Sequence, residues 1–204
     1  MTDTIRIDHL VVCHAAPSRA TRAPVLFVHG YFADATIWRE WLPFFAQRGF
    51  PAYAINLRGR GGSDAGPSGA TNGDLGRASI ADFVDDVRRV AQAIGNPAVV
   101  GHSMGGLIAQ QLAALGAVRA AVLIAPAPPR GITVLSPRLA IKQLKYLPAI
   151  LRSHVVHPSR EDLRDIVLNC VPERDQNTIL DALVPDSGRA ARDMSITGFP
   201  VDRT

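Results

Sequence analysis

Short apolar runs and longer amphipathic stretches follow one another along the first two thirds of the chain. Residues 24–28 (Pro-Val-Leu-Phe-Val) are a continuous, β-branched-rich apolar run, the pattern of a strand buried on both faces. Residues 97–101 read as another buried strand, residues 51–57 and 119–125 as further strands, and residues 5–13 alternate partly, as one or two outer strands do. Between the runs the spacing is helical. Residues 35–48 place Ile37, Trp41, Leu42 and Phe45 on one side, with Pro43 allowing a kink or an early break and Gly49 ending the segment. Ser79 and Asp82 form a capping box before an apolar face of Ile80, Phe83, Val87, Val90 and Ile94. Residues 104–115 are small and apolar and read as a further helix. Strand and helix alternating so regularly predict an α/β fold, a mostly parallel sheet of about six strands with flanking helices.

The pattern changes after residue 131. A helix is expected from Ser136-Pro137, with Leu139, Leu144, Leu147 and Leu151 on one side and Arg138, Lys142, Lys145 and Arg152 elsewhere. Ser159 to Asp162 reads as a capping box for a helix reaching about Asn169. Helical pieces follow at 173–183 and 187–196, and no strand is expected. The chain therefore divides into a core, residues 1–126, and a helical cap, residues 127–204. The basic side of the 136–152 segment is read as a solvated face rather than a membrane or anion contact.

Composition narrows the function classes. The net charge of +4 is mild and only 6% of the 204 residues are aromatic, which argues against a nucleic-acid binder. No charged residue occurs from Val90 to Val118, a length that suggests a membrane span. Asn96, Pro97, His102, Ser103 and the glycines at 101, 105 and 106 interrupt it midway, so a buried strand, turn and helix fit better. Cys13 and Cys170 stand far apart without CxxC spacing and fit a reduced compartment. The first residues have neither a basic nor an apolar leader pattern, so the expected location is cytoplasmic.

Gly101-His102-Ser103-Met104-Gly105 matches G-x-S-x-G between a predicted strand and a predicted helix, the context of a nucleophile elbow. A turn this tight needs small neighbours. It holds Ser103 strained, with the Met104 N–H aimed where an oxyanion would form. His29-Gly30-Tyr31, directly after the first buried strand, can present the Tyr31 N–H as a second donor. The loop Arg58-Gly-Arg-Gly-Gly-Ser-Asp64 fails the dinucleotide pattern because Asp64 stands at the third glycine position. His102 is expected to be a packed, hydrogen-bonded side chain, and His154 and His157 cap residues rather than a base or a metal pair. Asp186 and Asp193 are expected to cap helices at the surface.

His29-Gly30-Tyr31, Trp38, Asn56-Leu-Arg-Gly-Arg-Gly-Gly-Ser63 and Gly101-His-Ser-Met-Gly-Gly106, in that order, resemble the α/β-hydrolase superfamily in its capped esterase, lipase and peroxidase-like branch. The resemblance covers residues 5–126, with Asn56 at a structural position where the family usually has Asp. It implies a serine hydrolase acting on carboxylic esters or related acyl bonds. Ser103 would be the nucleophile, Met104 and Tyr31 the oxyanion donors, and no metal or organic cofactor would take part. It also implies an acid and a His base in later strands. Pro126-Ala-Pro-Pro-Arg-Gly131 offers no acid, so neither partner can be assigned, and the chain reads as lacking the family's last two strands, a truncated copy. The strand at 119–125 would then be an exposed edge open to self-association. The partners expected are a small-molecule ester or acyl substrate, with no nucleic acid and no stable membrane insertion. The competing readings are a catalytically incomplete or non-catalytic protein of the same fold, and a dinucleotide binder.

Overall fold

In the computed structural model the described residues are 2–64, 72–132, 141 and 144–201. A six-stranded sheet runs in the order β1-β2-β4-β3-β5-β6, formed by β1 (Asp3–Ile7), β2 (Leu10–Ala15), β3 (Val25–Val28), β4 (Ala52–Ile55), β5 (Ala98–His102) and β6 (Ala120–Ile124). β1 and β2 form an antiparallel hairpin on one side, and β4, β3, β5 and β6 run parallel. The mostly parallel α/β architecture expected from the alternation is therefore the one observed.

β3 shows why its sequence has no polar position. Leu26 and Val28 join a cluster with α2 (Ile80–Ala93) and α3 (Met104–Ala114), while Val25 and Phe27 join a second cluster on the other face with Trp38, Leu42 and Ala46 of the segment 35–46. Full burial of side chains such as Leu26 and Phe27 contributes about 1.5–3 kcal/mol each, so this strand anchors both layers. α2 begins as expected: Ser79 accepts from the Asp82 N–H, and Asp82 accepts from the Ser79 N–H at 2.8 Å.

Two helical faces differ from expectation. The segment 35–48 is a 3-10 turn (Ala35–Trp38) followed by α1 (Trp41–Ala46), broken at Arg39-Glu40 rather than at Pro43. Pro43 is the third residue of α1, where a helix has no acceptor for an N–H. The break rotates the apolar stripe, so Trp38 and Leu42 are buried while Ile37 and Trp41 stand 39% and 41% exposed. In the segment expected to be the cap, Leu144 and Leu151 are exposed, and Ile150 faces inward from α4 (Leu147–Leu151), whose Pro148 sits in its first turn. The expected start of that helix, Ser136 to Ala140, and Lys142 lie outside the described residues, as do residues 65–71 of the glycine-rich loop.

The cap also holds α5 (Arg160–Ile166), α6 (Glu173–Asp181) and α7 (Gly188–Ser195). Ser159 caps α5 by accepting from the Asp162 N–H, but its own N–H donates to the Tyr146 hydroxyl at 3.0 Å, so the capping box is only half formed. Contrary to expectation the cap contains a small antiparallel sheet, β7 (Val155–Val156) with β8 (Asp186–Ser187). Two-residue strands carry no periodicity, which is why the pattern could not announce them. α7 packs back on the core: Ala190 lies in the cluster of α2 and α3, and Asp193 accepts from the Ile80 N–H. Asp193 therefore helps cap a core helix rather than one of its own. Among the described residues no helix is long and apolar enough to cross a membrane.

Candidate active site

β5 ends at His102 and α3 begins at Met104, so Ser103 alone makes the turn. Its backbone sits at φ 52° and ψ −116°, a conformation costing about 1–3 kcal/mol for a residue with a Cβ. Four hydrogen bonds hold it there. The Ser103 N–H donates to the Ile124 carbonyl at 3.0 Å, and the Ser103 carbonyl accepts from the N–H groups of Gly106, Leu107 and Ala127. The glycines are there for space. A Cβ at Gly101 would lie 2.1 Å from the Gly105 carbonyl oxygen, one at Gly105 2.4 Å from that of Val28, and one at Gly106 2.7 Å from Cβ of Pro126. α3 is therefore pressed against the ends of β3 and β5, and its first N–H, that of Met104, has no acceptor within the helix.

The turn after β3 meets the elbow directly, since a Cβ on Gly30 would stand 3.0 Å from Cβ of Ser103. His29 before it is fully buried. Its Nε2 accepts from the Leu57 N–H at 3.3 Å, so Nδ1 carries the proton and donates to the Gly30 carbonyl at 2.9 Å. Burial, and then the nearby Arg60 charge, lower its pKa to about 3. With both ring nitrogens occupied, His29 is a neutral structural pin. Asn56, also buried, accepts from the Ala35 N–H at 2.9 Å and donates to the Gly61 carbonyl at 3.3 Å, the structural role expected of that position.

The arginines of the glycine-rich loop turn inward. Arg58 donates from Nε to Asp86 at 2.9 Å, and Arg60 pairs with Asp186 with both side chains fully buried. Each guanidinium is engaged by a carboxylate of its own chain, Asp86 for Arg58 and Asp186 for Arg60. Asp186, expected as a surface cap, is instead fully buried. It also accepts from the Phe32 N–H at 2.8 Å and the Ser187 N–H at 2.6 Å. Burial pushes its carboxyl above the usual carboxylate range, against the pull of Arg60 and those two donors. The adjacent Ser187 caps α7 through the Ala190 N–H. An N-cap serine was legible in the local sequence, but a partner 126 residues away was not.

His102 is packed, but its buried Nδ1 has no hydrogen-bond partner among the described residues, contrary to expectation, and burial lowers its pKa. His154 and His157 are exposed on the cap. Among the described residues no group of three or more His, Cys, Asp or Glu side chains could hold a metal ion, and no histidine is hydrogen-bonded to Ser103. A cavity of about 420 Å³ lies between core and cap, walled by Tyr31, Phe32, Pro128, Ile150, Leu163 and Met194, among others. Ser103 does not line it. The two segments that touch Ser103, at Gly30 and at Ala127, run on into its wall as Tyr31 and Pro128.

Comparison with known proteins agrees with this arrangement. A putative non-heme haloperoxidase of Mycobacterium phage D29 is 34% identical over 95 residues, which are 46% of this chain and 32% of that protein. Among solved structures, an N-acyl homoserine lactonase complexed with N-butanoyl homoserine superposes with a TM-score of 0.67 at 19% identity, covering 98% of this chain and 72% of its own. The thioesterase domain from the curacin biosynthetic pathway gives 0.58 at 20% identity, covering 89% of this chain and 65% of its own. The chain thus spans about a third of the curated relative and about two thirds of the thioesterase domain. The model of the alpha/beta hydrolase family matches residues 25–199, and the chain belongs to that family.

Proposed function

We propose that the protein belongs to a serine hydrolase acting on a carboxylic ester or related acyl bond, with Ser103 as nucleophile. The observation that carries this is the Ser103 backbone, strained at φ 52° and fixed by four hydrogen bonds between a buried strand and a helix. Strain over-determined by its surroundings marks sites where it serves a purpose. In this reading Ser103 Oγ attacks the acyl carbon and its proton passes to a base. The N–H groups of Met104 and Tyr31 hold the oxyanion, and collapse expels the alcohol with a proton. Water repeats the sequence on the acyl-serine and frees the acid. Residues 127–204 act as the cap, and the mostly apolar wall from Phe32 to Met194, with Arg130 and Asp162 also in the lining, suits a largely apolar acyl or alcohol group.

A second reading is favoured by one observation, that among the described residues no histidine is hydrogen-bonded to Ser103. On that reading the 204-residue chain keeps the elbow without a working base. A fluorophosphonate probe applied to the folded chain and to Ser103→Ala separates the two. Labelling that disappears in the variant supports an armed serine. Absence of labelling in well-folded protein refutes the catalytic reading for this chain.

A further inference from the structure

Phe32 is the unusual partner in the turn after β3. Its φ is +62°, and both of its backbone polar groups are taken by the cap: the N–H donates to Asp186 at 2.8 Å and the carbonyl accepts from the Val184 N–H at 3.0 Å. The preceding Tyr31 hydroxyl donates to the Ser187 carbonyl at 2.7 Å. Three ties thus bind two turn residues to a four-residue cap segment about 150 positions away in the chain. At its other end the turn is fixed by Gly30 against Ser103. Tyr31 sits between the two fixed points.

Asp186 is itself held by Arg60, whose guanidinium lies 4.8 Å from the Phe83 ring centre and whose Nε and Nη1 have no partner among the described residues. A buried, half-satisfied ion pair is a poor device for stability, since apolar residues of similar volume generally do as well. What a carboxylate supplies here and an apolar residue cannot is an oriented acceptor for the Phe32 N–H. Without it, a left-handed non-glycine residue relaxes toward negative φ.

We propose that Asp186, oriented by Arg60, is a positioning residue that clasps the Tyr31-Phe32 turn to the cap and so sets the aim of the Tyr31 N–H. The inference rests on the reading of Tyr31 as an oxyanion donor. It makes the cap part of the oxyanion machinery rather than only a cover.

The test compares the whole chain with Asp186→Asn, which preserves shape but loses the charge and one acceptor. Residue-resolved amide exchange and the rate of Ser103 labelling by a fluorophosphonate are read together. The expected result is roughly tenfold faster exchange at amides 30–33 with α2 and α3 unchanged. Labelling should slow by about tenfold or more at an unchanged saturation constant, toward the loss seen when an oxyanion donor is removed. Unchanged exchange at 30–33, equal loosening of the whole chain, or loosened exchange with an unaltered labelling rate each overturns the proposal. If the wild-type chain is not labelled at all, the hydrolase reading fails, and exchange still decides whether Asp186 holds the turn. If Asp186→Asn does not fold, Tyr31→Phe removes only the hydroxyl tie, and its failure to speed exchange at 30–33 overturns the clasp.

Discussion

Acid should unfold this protein partly through His29, and the size of the effect follows from its burial. The ring is neutral in the fold, with Nε2 accepting from Leu57 and Nδ1–H donating to Gly30. Burial lowers its pKa from 6.5 to about 3. The unfolded chain binds a proton below pH 6.5 that the folded chain refuses. Stability is therefore complete above pH 6.5 and is lost as the pH falls toward the folded value, at a slope of about 1.4 kcal/mol per pH unit. Between pH 6.5 and 5 the loss is about 2 kcal/mol. His29→Gln keeps an N–H and a carbonyl but takes up no proton. At pH 7 it should cost about 1–2 kcal/mol for imperfect hydrogen bonds. Urea unfolding followed by tryptophan fluorescence, from pH 7.5 to 4.5, gives both stabilities. The wild-type advantage should shrink steadily below pH 6.5 and vanish near pH 5. Stability curves that stay parallel over that range would show that His29 does not resist protonation, and the buried, doubly bonded ring would be wrong.

Other perturbations separate space from conformation and probe the bare edge. Gly105→Ala should cost more than about 3 kcal/mol and abolish any Ser103 labelling, because its methyl would lie 2.4 Å from the Val28 carbonyl oxygen. Gly116→Ala meets nothing within 4 Å and should cost only about 1–2 kcal/mol for its φ of +64°. Thermal unfolding of the two variants checks the contrast, and equal costs would refute it. Val122 and Leu123 on β6 are 51% and 42% exposed, so concentration-dependent association is expected in sedimentation velocity and should weaken in Val122→Lys. A wild-type chain that stays monomeric at all concentrations would dispose of the edge as an interface.

The hydrophobic pattern made the inner sheet and its two layers legible because β3, β4 and β5 are long enough to show burial on both faces, as Val25 to Val28 does. The elbow was legible for another reason: Gly101, Gly105 and Gly106 are demanded by contacts under 3 Å, and such demands leave glycines at fixed spacing. The rest was set by long-range pairing. Nothing near Asp186 forecasts Arg60, and nothing near Phe32 forecasts a left-handed backbone held by Val184 and Asp186. The face of residues 35–46 was misjudged because a break at Arg39-Glu40 shifts the phase, and periodicity alone assumes an unbroken helix.

Ser103 is stitched to the sheet's last strand, with its N–H on Ile124 and its carbonyl on Ala127 just beyond. β6 has β5 as its single neighbour in the sheet of described residues, and side chains of both its faces meet solvent. Such a strand opens at lower free energy than the middle of the sheet. Each opening would release the serine from its strained geometry, so on the reading of Ser103 as nucleophile the competent elbow is a population rather than a fixture. Its reactivity at any instant is the intrinsic reactivity multiplied by the fraction of time the strand is closed. On that reading a chain that paired with β6 would act on Ser103 without touching it, by lengthening the closed intervals.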